Sequence, residues 1–370
     1  MSDLITIEVN GQQYTNFVSI SVRKSLVDLC DAFTFTASSV SGFPPFKIGD
    51  EVTIYINTKL ELVGFIEKIN GNATDNSHSV TYSGRDKTCD FLDSSINQVN
   101  EIKADESLTL KRIIEIIRDD LGSQLQVIDE LDAPPFNKAE DIIKPNPADN
   151  AFDFSLKFAR KRQAILSSTI EGNILISDAS PEAINAILIS KVKSDSNNVL
   201  SESWNVDDTR RFNRYIFKSQ NSLVALNQSG DAENEGIVNR KNGFIDETIR
   251  KGRQRVTKVA SYGHDELQKR AEWAGKIAKS EAIQYTCTVK GFAYDTANLW
   301  QTNKLVKVDS ERADIDREML IKTLEFTQSE SEEGKSAFST TLNLVDKDAF
   351  ILKTEEENAK QRGKLTNAFV

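Results

Sequence analysis

The stretch Val80–Ser94, VTYSGRDKTCDFLDS, sets Arg85, Asp86, Lys87, Cys89, Asp90 and Asp93 close behind Gly84. So many ionisable groups in so short a run would suit an active site. They would equally suit a strand that ends in a charged turn, and the residues favour that second arrangement. SVTYSG has the makings of a strand carrying Tyr82, and a glycine within a strand marks a bulge or the close approach of another backbone. Arg85, Asp86 and Lys87 alternate in sign, which fits local ion pairing or contact with a neighbouring subunit. Cys89 has no histidine nearby in sequence to act as its base, and a strand-edge setting favours packing over nucleophilic chemistry. The stretch predicts β structure closed by a charged turn.

Toward the N-terminus the chain is a succession of short strands. LITIEVNGQQY alternates Ile5, Ile7 and Val9 and then turns at Asn10-Gly11, a strong hairpin signal. FVSISV, AFTFTAS, VTIYIN and ELVGFIEKING continue the pattern, punctuated by Pro44, Pro45 and Gly49-Asp50. About six short strands separated by turns predict a closed antiparallel barrel or sandwich, here over residues 1–98.

The period then changes. DESLTLKRIIEIIRDDLG, with Leu108, Ile113, Ile116 and Ile117 on one face, predicts a helix with Asp105, Glu106 and Ser107 as capping candidates and Gly122 as its stop. A proline-marked loop leads to a second helix near residues 148–162, and GNILISDASPEA predicts a strand, a turn and a short helix. Residues 99–197 thus form a small α+β domain. The β pattern returns over 198–352, interrupted by a polar loop at 227–253, long enough to be mobile or partner-binding. A helix at 264–282 places Leu267, Ala271, Ala274 and Ala278 on one stripe, and a charged tail with Glu355, Glu356 and Glu357 fills 353–370. One order of strands, charged turn, Asp-Lys pair and apolar close occurs near both ends. The predicted class is mainly β with α+β: two related antiparallel β-barrels with a small α+β domain between them.

Composition limits the function. At 370 residues the chain is too long for one comfortable core, and roughly two to four units are expected. Its longest apolar run, AINAILI at Ala183–Ile189, is far shorter than the about 20 residues that cross a bilayer, so no membrane span is expected. MSDLITIEVNG lacks the basic and apolar regions of a secretory signal. Three distant cysteines, Cys30, Cys89 and Cys287, predict reduced thiols. The net charge of −10 opposes the counterion release by which proteins grip nucleic acid. With only His78 and His264, neither a zinc site nor a Ser-His-Asp triad is offered. Gly334-Lys335-Ser336 ends like a phosphate loop, but its acidic lead-in SESEE would repel phosphate. Carboxylate pairs are guaranteed by 56 acidic residues; glycoside hydrolysis would also need an apolar pocket around one of them. No catalytic, cofactor-binding or metal-ligating residue is predicted. Trp273 and Trp300 are expected to pack, the first between helix and barrel, the second in a core or between domains.

Several motifs resemble one family. SGRDKTCDFLDSS is similar to the Gly-Arg-Asp-Lys-Thr-x-Asp-Leu-x-Asp signature that ends the first barrel of Mu-like phage baseplate hub proteins. NVLSESWNVDDTRRFNRYIFKSQ resembles the strand pair opening that family's second barrel, and RAEWAGKIAKSEAIQYTCTVKGF its Arg-Ala-x-Trp helix and next strand. ANLWQTNKLVKV resembles the Leu-Trp-x-x-Asn-x-x-Val-x-Val element, carried here by Leu299, Trp300, Asn303, Val306 and Val308. The resemblance spans residues 3–352; Thr302, Phe292 and Asp348 depart from it at turn and packing positions, which puts loop shape in question rather than fold.

The resemblance implies a structural protein with no enzymatic activity. It implies a homotrimer whose paired barrels offer six similar faces to a tail tube protein and three-fold symmetry to a spike (tail-tip) protein. Baseplate wedge proteins and the tape-measure protein are further implied partners, and DNA crosses the channel without specific binding. The implied location is the virion, after assembly in the host cytoplasm. The expected structural and interface residues are Gly84, Arg85, Asp86, Lys87, Asp90, Trp273, Trp300 and Asn303, and the surplus of acids is expected along the channel. A tail-associated peptidoglycan hydrolase and the hub portion of a type VI secretion spike are the alternatives.

Overall fold

A computed structural model of the protein describes residues 4–15, 17–38, 46–73, 78–97, 102, 108–136, 144–146, 148–179, 181–220, 244–260, 264–330 and 336–347. The chain divides into two compact units, one built from residues 1–204 and 285–345, the other centred on 205–284.

The first unit opens with β1 (Ile5–Val9), β2 (Gln12–Tyr14), β3 (Ser19–Ser25), β4 (Ala32–Ser38), β5 (Glu51–Ile56), β6 (Lys59–Ala73) and β7 (His78–Asp86). Asn10 and Gly11 both take positive φ, 52° and 76°, so the predicted hairpin turn joins β1 to β2 with a twist that matches its strands. Ile5, Ile7 and Val9 are buried and stand opposite Ile56, Ile54 and Val52 of β5. Phe17, Phe33, Phe35, Phe46 and Tyr82 complete this core through stacked and edge-on ring contacts. His78 is the exposed first residue of β7.

The chain continues through α1 (Cys89–Asp93), α2 (Leu110–Asp120), β8 (Val127–Asp129), α3 (Ala151–Arg162), β9 (Ile165–Ser168) and β10 (Ile174–Ser177). α2 starts at Thr109, whose hydroxyl accepts the Arg112 N–H; the expected caps Asp105, Glu106 and Ser107 lie outside the described residues. Its buried face is Leu110, Ile113, Ile114 and Ile117, with the expected Ile116 only partly covered. That face meets Phe154 and Phe158 of α3, Leu166 of β9, and Ile174 and Ile176 of β10 in a second core.

Then follow β11 (Glu182–Ser190), β12 (Val199–Val206), β13 (Arg214–Gln220), β14 (Phe244–Ile245), β15 (Gln254–Ala260), α4 (His264–Glu281), β16 (Ile283–Lys290), β17 (Lys304–Ser310), β18 (Ile315–Glu330) and β19 (Ser336–Asp346). The short helix expected after the strand at Ile174 is instead β11, parallel to β17; its isoleucines suit a pleated surface better than a helix. In the second unit β13 lies between β14 and β15. α4 packs on Phe244 at Gly275, where a Cβ would come within 2.0 Å of the ring. Residues 227–243 of the expected loop and the tail after Lys347 lie outside the described residues. Among the described residues no helix is long and apolar enough to cross a membrane.

The mainly β class is as expected, but hydrogen bonds among the described residues trace one thirteen-stranded sheet rather than two closed cylinders. Its path runs β12–β16–β19–β18–β3–β4–β7–β6–β5–β1–β2, with β11 attached through β17. The two β-rich ends of the chain meet at β18. Ile315–Leu320 pairs with β17, while Thr323–Ser329 pairs antiparallel with Ser25–Ser19 of β3.

Gly84 shows why β6 and β7 can lie as they do. A Cβ there would sit 1.9 Å from the Phe65 carbonyl oxygen and 2.7 Å from the Phe33 ring, whereas one at Gly71 would meet only Val80 at 4.0 Å. Gly84→Ala should therefore lower urea-unfolding stability by about 3 kcal/mol or more, and Gly71→Ala by less than about 1 kcal/mol. Equal losses in the two variants would refute the close-approach role.

Candidate functional site

Gly84, Arg85, Asp86, Lys87 and Asp90 come together where β7 leaves the sheet and enters α1. The β6–β7 register slips between Ile66 and Lys68, leaving Glu67 as the extra residue of a bulge. Its carboxylate accepts both Nε and Nη2 of Arg85 at 2.7 Å, and Asp93 of α1 accepts Nη1 and Nη2 at 3.1 and 2.5 Å. Arg85 is thus forked between the sheet and the helix, and its hydrogen bonds hold the Asp93 carboxyl below its ordinary range. Lys87 pairs with Glu51 of β5 at 2.8 Å. Asp90 lies exposed in the first turn of α1, where its charge favours the positive helix end. With Lys87, Phe65, Gly122 and Asn173 it lines a groove of about 700 Å³.

Asp86 does something different: it is 1% exposed and every oxygen is used. Oδ1 accepts the Thr88 N–H at 2.8 Å and the Thr88 hydroxyl at 2.5 Å; Oδ2 accepts the Asp31 N–H at 2.7 Å. Ser168 of β9 supplies a further hydrogen bond. Asp31 in turn accepts the Ser25 N–H from the end of β3. Burial pushes the Asp31 carboxyl up to about 7, with nearby Asp86 adding to the rise and Lys24 opposing it. Burial also raises Asp86. Two buried acids with raised pKa could pass for a catalytic pair. Both oxygens of Asp86 and Oδ1 of Asp31, however, are occupied by backbone N–H and hydroxyl groups, so the pair fastens chain segments to one another. Phe91 and Leu29, on either side, both enter the helical core. Cys89, placed by expectation at a strand edge, is the buried first residue of α1, and burial pushes its thiol up to about 12, which keeps it an unreactive thiol.

Trp300 and Asn303 form a second group, at the entry to β17. Trp300 is 5% exposed and packs on Tyr294 with ring centroids 5.5 Å apart, as a core residue should. Asn303 takes φ 59°, donates its N–H to the Ile321 carbonyl and its Nδ2 to the Asp178 carbonyl at 3.3 Å. Trp300 Nε1 and Asn303 Oδ1 are buried without a hydrogen-bond partner. Trp273 belongs to the second unit, where it is half-buried in α4.

Two buried ion clusters were not expected as sites, although Glu202, Asp208 and Arg211 lie within the stretch NVLSESWNVDDTRRFNRYIFKSQ. Glu202 of β12 accepts from Ser190 of β11 (2.7 Å), Tyr285 of β16 (2.7 Å) and Ser310 of β17 (2.8 Å), and these bonds lower its pKa against the opposing effect of burial. In the second unit Arg211 binds Asp246 at 2.7 Å, Asp208 at 2.7 Å and the Thr248 hydroxyl. An acid inside a polar strand such as VLSESWNV signals neither arrangement; only the neighbouring strands do.

Residues 4–86 match the N-terminal domain of the Mu phage baseplate assembly protein GpP-like family, and residues 264–353 match the GpP fourth domain. Two stretches of the chain are thus similar to Mu GpP-like baseplate domains. It is also similar to baseplate hub protein gp44 of Escherichia phage Mu, 22% identical over 380 residues that cover 98% of this chain and 93% of the phage protein. Its fold resembles that of the prophage MuSo2 43 kDa tail protein from Shewanella oneidensis (TM-score 0.75, 22% identity, 94% of this chain and 98% of the other). It also resembles the E. coli c3393 protein, a component of the type VI secretion system (TM-score 0.54, 10% identity, 92% of this chain and 76% of the other). The first GpP-like match ends at Asp86, the residue that fastens sheet to helices.

The Asp31 carboxyl gives the joint a pH signature. Its folded pKa, about 7, lies above the ordinary 3.8. The folded chain therefore binds more protons than the unfolded one between those values, and stability falls as pH rises through that window. Asp31→Asn retains an acceptor for Ser25 N–H but cannot titrate. Its urea midpoint should decline less than that of the wild type between about pH 5 and about pH 7.5; parallel declines would show that Asp31 does not titrate there.

Proposed function

We propose that the chain is a structural baseplate hub protein of a contractile phage tail, acting as a homotrimer that joins a six-fold tail tube to a three-fold spike. The observation that carries this reading is the sheet in which two β-rich regions, from opposite ends of the sequence, are fused at β18. We take these regions as two related barrels, residues 1–98 and 198–352, with the α+β domain 99–197 between them. Glu202 supports closure of the second barrel: its one carboxylate bonds β16, next to β12 on the sheet path, and also β17 and β11, the branch that leaves that path at β18. Three copies with two similar barrels each present six similar faces, the number a hexameric tube requires. Tail tube, spike, wedge and tape-measure proteins are the partners in this arrangement. DNA passes through the ring, and a chain of net charge −10 is suited to let it slide rather than stick.

The test is the molar mass of the full chain by light scattering after size exclusion. Three times the 41.4 kDa chain mass is expected, with ring-shaped particles in electron micrographs. A monomer at every concentration tried, or clearing of bacterial cell walls in a zymogram that a single Asp or Glu substitution abolishes, would overturn the proposal.

A further inference from the structure

The two β-rich regions of the first unit share one strand plan. The first runs β3–β4–β7–β6–β5 across the sheet, and the second runs β12–β16–β19–β18 with β17 also beside β18. In each region the first, second, fifth, fourth and third of these strands in chain order lie side by side. β6 and β18 hold the same place in this plan, and both are long, 15 and 16 residues. Each pairs through its first half with the strand before it: Lys59–Phe65 with β5, Ile315–Leu320 with β17. Each gives its other edge to the strand after it, β7 or β19.

The second halves differ. In β18, Thr323–Ser329 leaves β17 and pairs with β3, the first strand of the other region. In β6, Glu67–Ala73 leaves β5 and, among the described residues, pairs only with β7. Every residue of that half is exposed. β12 holds in the second region the place that β3 holds in the first, and it too is one neighbour short: among the described residues it pairs with β16 alone. Leu200 and Trp204 of β12 are 64% and 45% exposed, and Ile69 of β6 is 37% exposed.

A strand edge with unpaired N–H and C=O groups is a template for another strand. The two open edges here correspond one to one with the two partners of a ladder the fold already contains, β18 with β3. Within one chain they are not paired with each other. We propose that Glu67–Ala73 of β6 pairs antiparallel with Val199–Trp204 of β12 in a second copy of the chain, repeating between chains the ladder that joins the two regions within a chain. The same contact covers Ile69, Leu200 and Trp204. It is head-to-tail, since each copy offers β6 to one neighbour and β12 to the other, and such a contact closes into a ring when its rotation allows. The assignment rests on the homotrimeric hub reading and specifies which edges meet in it.

Thiol cross-linking of the full chain tests it. Asn70→Cys and Ser203→Cys put thiols at exposed positions of the two strands, and the wild-type chain, with Cys89 and Cys287 buried and Cys30 partly so, is the control that should give no product. Co-expressed single variants treated with a short bismaleimide should yield a two-chain product on a denaturing gel, and either variant alone should yield none. The double variant should yield a three-chain product. Moving the first thiol to Asn72 should move its best partner back to Ser201, the direction an antiparallel ladder requires. If light scattering gives three chain masses but no link joins the two strands, the ladder falls and the hub reading stands. A link between two copies of the same single variant, or a best partner that moves toward the C-terminus, also overturns the ladder. A monomer at every concentration overturns both.

Discussion

The antiparallel ladder between β3 and β18 is the constraint on which the rest of the first unit depends. Seven residue pairs, from Ser19 with Ser329 to Ser25 with Thr323, join segments about three hundred residues apart in sequence. Buried side chains set its register: Phe326 faces Val22 and Gln328 faces Ile20. A slip of one residue would turn Leu324 and Phe326 out of the core. Gln328 adds a second lock, since its Oε1 accepts the Ile5 N–H from β1 at 2.9 Å. A ladder of such sequence separation has a high closure cost during folding. The two β regions must each hold some structure before they can recognise one another.

Within that frame the Gly84–Phe91 segment converts sheet into helix. Gly84 admits the Phe65 carbonyl, Arg85 forks between Glu67 and Asp93, Asp86 gathers the N–H groups of Asp31 and Thr88, and Phe91 enters the helical core. An apolar residue in place of Asp86 would leave those N–H groups buried without acceptors, at roughly 1–3 kcal/mol each. The carboxylate is costly to bury, and it holds because it is fully hydrogen-bonded. Charge in this motif therefore has two uses that look alike in sequence: Arg85 and Lys87 clamp from the surface, while Asp86 organises backbone from within.

Much of the fold was legible in the residues. The Asn10-Gly11 turn, the alternation of Ile5, Ile7 and Val9, the helical face of Ile113 and Ile117 and the close approach at Gly84 all rest on local rules, and the structure follows them. What was not legible is non-local. β11 is a strand because β17 lies beside it, although SPEAINAIL alone suits either state. The sharing of β18 between two strand neighbours on one edge leaves no trace in its own sequence, since IDREMLIKTLEFTQSE shows only a long strand. The site divides the same way. Arg85 and Asp86 announced themselves by density of charge, but Asp31, Glu67 and Glu202 became partners only through register, and Trp273 and Trp300 turned out to lie in separate units.

The shared strand also bears on how a ring of three copies would work. Such a ring has six junctions between neighbouring β regions. Three lie within a chain and three between chains. The junction within a chain is a hydrogen-bonded ladder with a fixed register, so its angle is set by sheet twist rather than by side-chain fit. Closure to six similar faces then requires the contact between chains to reproduce an angle that the fold already contains. Errors in that angle would accumulate at only half of the junctions. In the proposed ring, two similar β regions in one chain would supply the second set of faces and also the template against which the assembled contacts are matched.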